Sequence, residues 1–271
     1  MKNIKEKIVL ITGGASGIGK IMARLFLEEK ARVIIWDINQ EKIDETIKEL
    51  GKLGAVNGYR VDVSNAVVVK DTAVKVKKDF GKVDILINNA GIVIGRYFHE
   101  HSTEDILKTM EINSYAPMIV TNEFIDDMID QNSGHICNIA SSGGLLSNPK
   151  MSVYVASKWS VIGWSDSLRL EMLQLKKDVT VTTIMPYYIN TGMFDGVKSK
   201  LLPILEPESA ALAVVKAIKK NKKMITIPGY IYKLTRISQG LFSVSLFDWI
   251  TGNIFGIYKT MENFIGHKKE D

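Results

Sequence analysis

Tyr154 and Lys158 lie four residues apart, and a helix would set their side chains on one face. A free phenol titrates near ~10 and is a poor base at neutral pH. A neighbouring ammonium stabilises the phenolate. Lowering the phenol's pKa by about 3 takes roughly 4 kcal/mol of differential interaction. So tuned, the pair can take a proton from an alcohol or return one to a carbonyl. The spacing alone recurs on ordinary helix surfaces, so its meaning depends on what accompanies it.

Thr12-Gly13-Gly14-Ala15-Ser16-Gly17-Ile18-Gly19 accompanies it. The string follows an apolar run and opens an amphipathic segment, the setting in which a glycine turn cradles a dinucleotide. Gly13 permits the tight turn. Gly17 lets the backbone approach a pyrophosphate, whose charge meets the helix N-terminus. Gly19 allows close packing of helix on sheet. Ser16 and Ile18 flank this approach and are expected to touch the same ligand. Asp37 closes the next apolar run, 18 residues after Gly19. A carboxylate there accepts from both hydroxyls of an adenosine ribose and repels a 2′-phosphate. No Lys or Arg stands just before Gly17, so the expected cofactor is NAD, with NADP less favoured. Phenol, ammonium and glycine turn together point to hydride transfer between a nicotinamide and an alcohol or carbonyl.

The elements that must position these groups alternate along the chain. Expected strands are Ile8–Ile11, Arg32–Trp36, Ala55–Val61, Ile85–Ile87, His135–Ile139, Val179–Ile184 and Lys223–Ile227. Segments of helical period lie between them: Gly17–Glu29, Glu41–Leu50, Ala66–Lys78, Thr103–Asp130, Ser152–Leu175 and Pro207–Lys219. Continuous Val/Ile/Leu runs separated by helices predict an α/β fold, with a parallel sheet covered on both faces and right-handed crossovers. At 271 residues this fits a single domain over 1–228 with an extension over 229–271. Asn190–Leu202 reads as a mobile, partly helical insertion.

Composition is that of a globule, 46% hydrophobic and 24% charged. Cys137 is the sole cysteine, so no intrachain disulfide forms and a reducing, cytoplasmic setting is expected. In its apolar run the thiol reads as a small buried hydrophobe. Ile8-Val9-Leu10-Ile11 is too short for a secretory core of about 7–15 apolar residues, and no stretch reaches the ~18 of a membrane span. Residues 216–271 hold ten Lys/Arg against four Asp/Glu, whereas residues 1–215 hold 25 against 26. That distribution argues against a nucleic-acid footprint on the main body.

The ordered motifs resemble the short-chain dehydrogenase/reductase family over about residues 6–192. They are the glycine turn, Asp62-Val63, Asn88-Asn89-Ala90-Gly91, Asn113, Ser141 and the Tyr154/Lys158 pair. The resemblance implies one Rossmann-type domain, about seven strands, and a site at the strands' C-terminal ends. It also implies roles. Ser141, 13 residues before Tyr154, would hydrogen-bond the substrate oxygen, with Ser142 the competing assignment. Lys158 would also bind the nicotinamide ribose, and Asn113 would hold a water linking Lys158 to solvent. Asp62 and Val63 would meet the adenine. Asn89, Ala90 and Gly91 would line the cofactor groove and brace the sheet. Pro186, Ile189 and Thr191 match the nicotinamide end, but Tyr187 stands where relatives carry glycine.

From Asn190 onward the chain resembles the branch containing retinol and 17β-hydroxysteroid dehydrogenases of lipid membranes. Relatives there often carry an N-terminal membrane anchor, which is not expected here. The implied substrate is a small hydrophobic alcohol or carbonyl, steroid-, retinoid- or lipid-like. Met193, Phe194, Leu201, Leu202 and Leu205 would form an apolar lid within 190–206. Helices 103–130 and 152–175 commonly pair subunits in relatives, which implies a homodimer or homotetramer. Residues 229–266 carry eight aromatics and suit a lid, a subunit contact or peripheral contact with a membrane. The alternative is a catalytically idle cofactor-binding or lipid-surface protein of the same fold.

Overall fold

The computed structural model describes residues 3–200 and 202–266. Seven strands form one sheet: β1 (Ile8–Thr12), β2 (Arg32–Asp37), β3 (Val56–Arg60), β4 (Ile85–Asn88), β5 (Gly134–Ile139), β6 (Val179–Pro186) and β7 (Met224–Ile227). Their order is β3-β2-β1-β4-β5-β6-β7, and every pairing is parallel. Alternate residues of a strand face opposite sides. Val9, Ile11, Val33 and Ile35 pack under α1 (Gly17–Glu28), α2 (Gln40–Leu50) and α7 (Pro207–Lys219). Ile8, Leu10, Ile34 and Trp36 pack under α3 (Ala66–Phe80), α5 (Ala116–Asp130) and α6 (Ser152–Gln174). The sheet is thus apolar on both faces, which explains the unbroken aliphatic runs. Chain direction across the sheet reverses between β1 and β4, which leaves a crevice at their C-terminal ends.

Local chemistry sets the helix starts. The Asn39 side chain accepts from Lys42 N at 3.0 Å and so caps α2. Pro207 occupies the first turn of α7, where its missing N–H costs nothing. Cys137 is fully buried and burial pushes its thiol up, leaving it inert packing.

Two expectations need correction. The helix expected over 103–130 divides into α4 (Thr103–Met110) and α5 around a π-turn at Glu111–Tyr115. Pro117, four residues after Asn113, has no N–H to close an α-turn there, and the helix widens instead. The insertion 190–202 forms turns and bends with no helix among its described residues. Its base is pinned instead, by Asn190 N donating to Leu205 O (3.0 Å) and Leu205 N donating to Tyr188 O (2.8 Å). Leu201 and residues 267–271, named in the lid and the extension, lie outside the described residues. The extension continues as α8 (Ile231–Leu241) and α9 (Val244–Trp249), followed by short turns.

Candidate active site

The glycine turn sits at the C-terminal end of β1. Gly13 and Gly17 adopt φ of 62° and 52°, a left-handed conformation that disfavours any side chain. A Cβ on Gly19 would stand 2.0 Å from Gly13 O, so helix and turn meet only because it is absent. Asn89 locks the turn to β4, its Nδ2 donating to Thr12 O (3.0 Å) and Gly13 O (3.1 Å). Asp37 locks it to β2. Its carboxylate accepts from Ala15 N at 3.1 Å and from Asn39 N at 3.2 Å.

Gly13, Ser16, Gly17, Ile18, Asn89, Ala90 and Gly91 form one end of a continuous cavity of about 860 Å³. Ser141, Tyr154, Lys158, Pro186, Ile189 and Thr191 line its middle. The volume falls in the upper part of the roughly 300–1,000 Å³ typical of small-molecule sites. Gly19, Asp37, Asp62 and Val63 are not in its wall. Asp62 turns onto Ser64, accepting from its N (3.0 Å) and Oγ (2.6 Å), and Val63 packs in the core. Lys42, one turn into α2, does reach the wall. Sequence reasoning missed it, and its only signal was a cation shortly after Asp37.

Tyr154 and Lys158 do share one face of α6, with Lys158 Nζ 5.6 Å from the Tyr154 ring centroid. Both side chains are only 5% exposed. Burial pushes the Tyr154 phenol up to about 12, against a hydrogen bond with Ser141 that pulls it down. Burial also pulls the Lys158 ammonium down to about 8. At Tyr154 burial outweighs the lowering expected from the neighbouring ammonium. Lys158 Nζ donates to Ile139 O at 3.0 Å, and loss of water outweighs its field. Ser141 rather than Ser142 partners the phenol. It precedes a short 3₁₀ turn, where its Oγ accepts from Gly143 N at 3.0 Å.

Asn113 sits in the π-turn, 1% exposed. Its amide is committed to protein: Oδ1 accepts from Ile92 N (2.8 Å), while Nδ2 donates to Ile92 O (2.8 Å) and Ser157 Oγ (3.2 Å). Ser157 lies between Tyr154 and Lys158 in the sequence, yet spacing gave no hint of this contact. A Cβ on Gly91 would stand 3.2 Å from Asn113 Oδ1 and 3.6 Å from Lys158 Nζ, so bare backbone keeps the gap between them open.

Beyond Tyr154 the walls turn aromatic. Phe194 meets Tyr154 edge-on at 6.0 Å and Tyr188 at 5.0 Å, and Tyr187 meets Tyr188 at 4.7 Å. The Tyr187 hydroxyl pairs with Ser199 Oγ at 3.0 Å, tying the side chain that replaces glycine to the insertion. Asn148 Nδ2 donates to Tyr188 Oη (3.0 Å) and Thr260 Oγ1 (2.7 Å), joining this wall to the extension. Tyr230, Leu234, Phe247 and Phe255 of the extension close the cavity's far side. Among the described residues no cluster of His, Cys, Asp and Glu could hold a metal ion.

A doubly wound sheet with a dinucleotide-type turn and a buried Tyr154–Lys158 pair beside Ser141 defines a class, and comparison with known proteins gives the same answer. Residues 7–202 match the family model for short chain dehydrogenase. The chain belongs to that family, and it is an oxidoreductase acting on CH–OH groups. It is 36% identical over 279 residues to epidermal retinol dehydrogenase 2 of Mus musculus, covering 99% of this chain and 88% of that one. It is 35% identical over 232 residues to 17-beta-hydroxysteroid dehydrogenase 13 of Mus musculus, covering 85% and 76%. A short chain dehydrogenase/reductase from Burkholderia phymatum, solved in complex with NAD, superposes with a TM-score of 0.81 at 26% identity, covering 89% of this chain and 95% of that one.

Proposed function

We propose that this chain interconverts a hydrophobic alcohol and its ketone or aldehyde, steroid-, retinoid- or lipid-like, with NAD as hydride partner and Tyr154 as acid–base group. One observation carries the reading: the Tyr154 phenol lies in a single cavity with the glycine turn at one end and apolar walls at the other. The similar proteins named as retinol and hydroxysteroid dehydrogenases, and the NAD-bound structure, point the same way. The turn fits the cofactor. Gly17 presents bare backbone at the start of α1, and a Cβ there would meet nothing nearer than Thr191 at 3.7 Å. Gly13, Ser16, Gly17 and Ile18 would hold the pyrophosphate, Asp37 the adenosine ribose, and Asn89–Gly91, Lys158, Pro186, Ile189 and Thr191 the nicotinamide half. Bound NAD supplies the hydride acceptor and a positive ring charge that favours the phenolate.

The protein's own groups do the rest. Ser141 holds the substrate oxygen beside Tyr154. With its pKa near 12 the phenol carries its proton at neutral pH and is set to give it to a carbonyl. For alcohol oxidation Lys158 must turn its charge toward the phenol and away from Ile139 O. Asn113 is a positioning residue that fixes Ile92 and Ser157. Exposed Leu107, Tyr115, Leu170 and Leu173 support pairing of subunits through α4–α6. Tyr154→Phe keeps the ring and loses the proton. Turnover of NAD with a lipophilic alcohol should fall by about 10²–10⁴ while NAD affinity is unchanged. Turnover near wild type would remove Tyr154 from the chemistry, whereas a wild type that binds NAD and turns over no alcohol or carbonyl would favour the idle, cofactor-binding alternative.

A further inference from the structure

The extension gives the cavity a second polar lining. Ile231, Thr235 and Ser238 recur at i, i+4 and i+7 along α8, so they share one face, and all three line the cavity. Ile231 packs in the cluster that holds Tyr154, and Thr235 stands about 6 Å further along the helix axis. Gln239 Nε2 donates to Leu145 O at 2.9 Å and fastens α8 to the turn after β5. α9 then widens into a π-turn at Ile250–Ile254, which sets Thr251 in the same wall as Phe247 and Phe255. A threonine inside a helix ordinarily returns its hydroxyl to the carbonyl four residues back or turns it to solvent. Thr109 does the former, donating to Asp105 O at 2.7 Å. Thr235 and Thr251 do neither. They are 8% and 3% exposed, and among the described residues neither hydroxyl has a hydrogen-bond partner. The fully enclosed polar atoms that lack partners lie elsewhere, so both oxygens stay open to the cavity. A hydroxyl kept from bulk water without a partner costs the fold free energy, and two on one wall call for a ligand that meets them.

We propose that Thr235 and Thr251 are specificity-determining residues that hold a second, uncharged oxygen at the end of the substrate remote from the reacting carbon. This rests on the lipophilic-alcohol reading above and narrows it. Hydroxyls both donate and accept, so an alcohol or a carbonyl suits them equally. A carboxylate does not, because the charged residues of the cavity wall are Lys42, Lys158 and Asp195, and none lies on the extension. The favoured substrate is an elongated apolar body with oxygen at both ends. A molecule that ends in plain hydrocarbon leaves both threonines without partners and is selected against.

The test uses the full chain and matched probes. One pair is a long-chain primary alcohol and the diol of equal length hydroxylated at both ends. The other is a steroid alcohol with and without a hydroxyl on its far ring. Binding is measured calorimetrically in the presence of NADH, with which an alcohol cannot react, and kcat/KM is measured with NAD. In at least one pair the doubly oxygenated member should bind about 10-fold tighter and show the same preference in kcat/KM. The pair that shows it identifies the body as chain or ring. Thr235→Val with Thr251→Val should abolish the preference by weakening the diol alone. The double variant should keep its NAD affinity and melt no lower than wild type, since the hydroxyls it loses have no partners. Equal binding within both pairs, or binding of no probe, overturns the proposal, as does a preference that survives the double variant. A preference in binding without turnover of any probe would keep the subsite and refute the proposed activity.

Discussion

Replacing Lys158 by methionine should stabilise the fold while removing turnover. The ammonium, ordinarily near 10.5, is held at about 8 by burial. A tenfold change in proton affinity is about 1.4 kcal/mol, so keeping this charge inside costs the folded protein about 3 kcal/mol at neutral pH. Methionine has similar length, fills the space and carries no charge. It forfeits the bond from Nζ to Ile139 O at 3.0 Å, a loss of about 1.5 kcal/mol. The net gain is about 1–2 kcal/mol, or roughly 2–6 °C in Tm for a chain this size. The pH dependence gives the stricter test. Between about 8 and 10.5 the unfolded chain still binds the proton and the folded one has released it. Wild-type stability therefore rises with pH across that window, and the variant's advantage should fade. Tyr154 works in the opposite sense. Its contribution is whole below 10 and is lost as pH nears about 12, but both proteins share it and it cancels in the difference. Thermal melts of both proteins from pH 7 to pH 10 would decide. A variant melting below wild type at pH 7, or a gap that ignores pH, refutes the reasoning.

Asp37→Ala should weaken NAD by about 1.5–3 kcal/mol and relax discrimination against NADP, read as the ratio of kcat/KM values. Because Asp37 also accepts from Ala15 N and Asn39 N, Asp37→Asn should recover part of the lost affinity. A wild type that already prefers NADP would sink the assignment. Gly196→Ala should separate the 190–206 segment from the extension, since φ is 85° there and a Cβ would stand 1.9 Å from Asn263 O. KM for a bulky alcohol should rise several-fold with NAD affinity unchanged in a calorimetric titration. An unchanged KM would mean that this junction does not shape the pocket.

The sheet was legible because its determinants are local. A strand buried on both faces must be apolar throughout, and Ile8–Thr12 or Val179–Pro186 read so without knowledge of the partner strand. The glycine turn was legible because positive φ and backbone contact leave almost no choice of residue. What stayed hidden depends on long-range burial. Spacing places Lys158 beside Tyr154 but cannot say that Ile139 O captures the ammonium or that burial raises the phenol. Spacing also gave 103–130 as one helix, because the effect of Pro117 is felt four residues upstream at Asn113. The link of Asn148 to Thr260, 112 residues apart in sequence, leaves no periodic trace at all.

The attachment of the extension has a consequence for biosynthesis. Ile265 N and Gly266 N donate to Asp195 O, and Lys198 N donates to Thr260 O, so the 190–206 segment is fastened by residues translated long after it. All seven strands are complete at Ile227. Ribosomes add about 5–20 residues each second, so the fastening residues are made on the order of 2–8 s after the last strand. During that interval Tyr187, Tyr188 and Phe194 lack the cover that Ile231, Met261 and Phe264 later give them. Chaperone demand should therefore peak late in translation. A message truncated near its end would yield a chain with the glycine turn but no chamber, able to draw on the cell's dinucleotide pool without serving it.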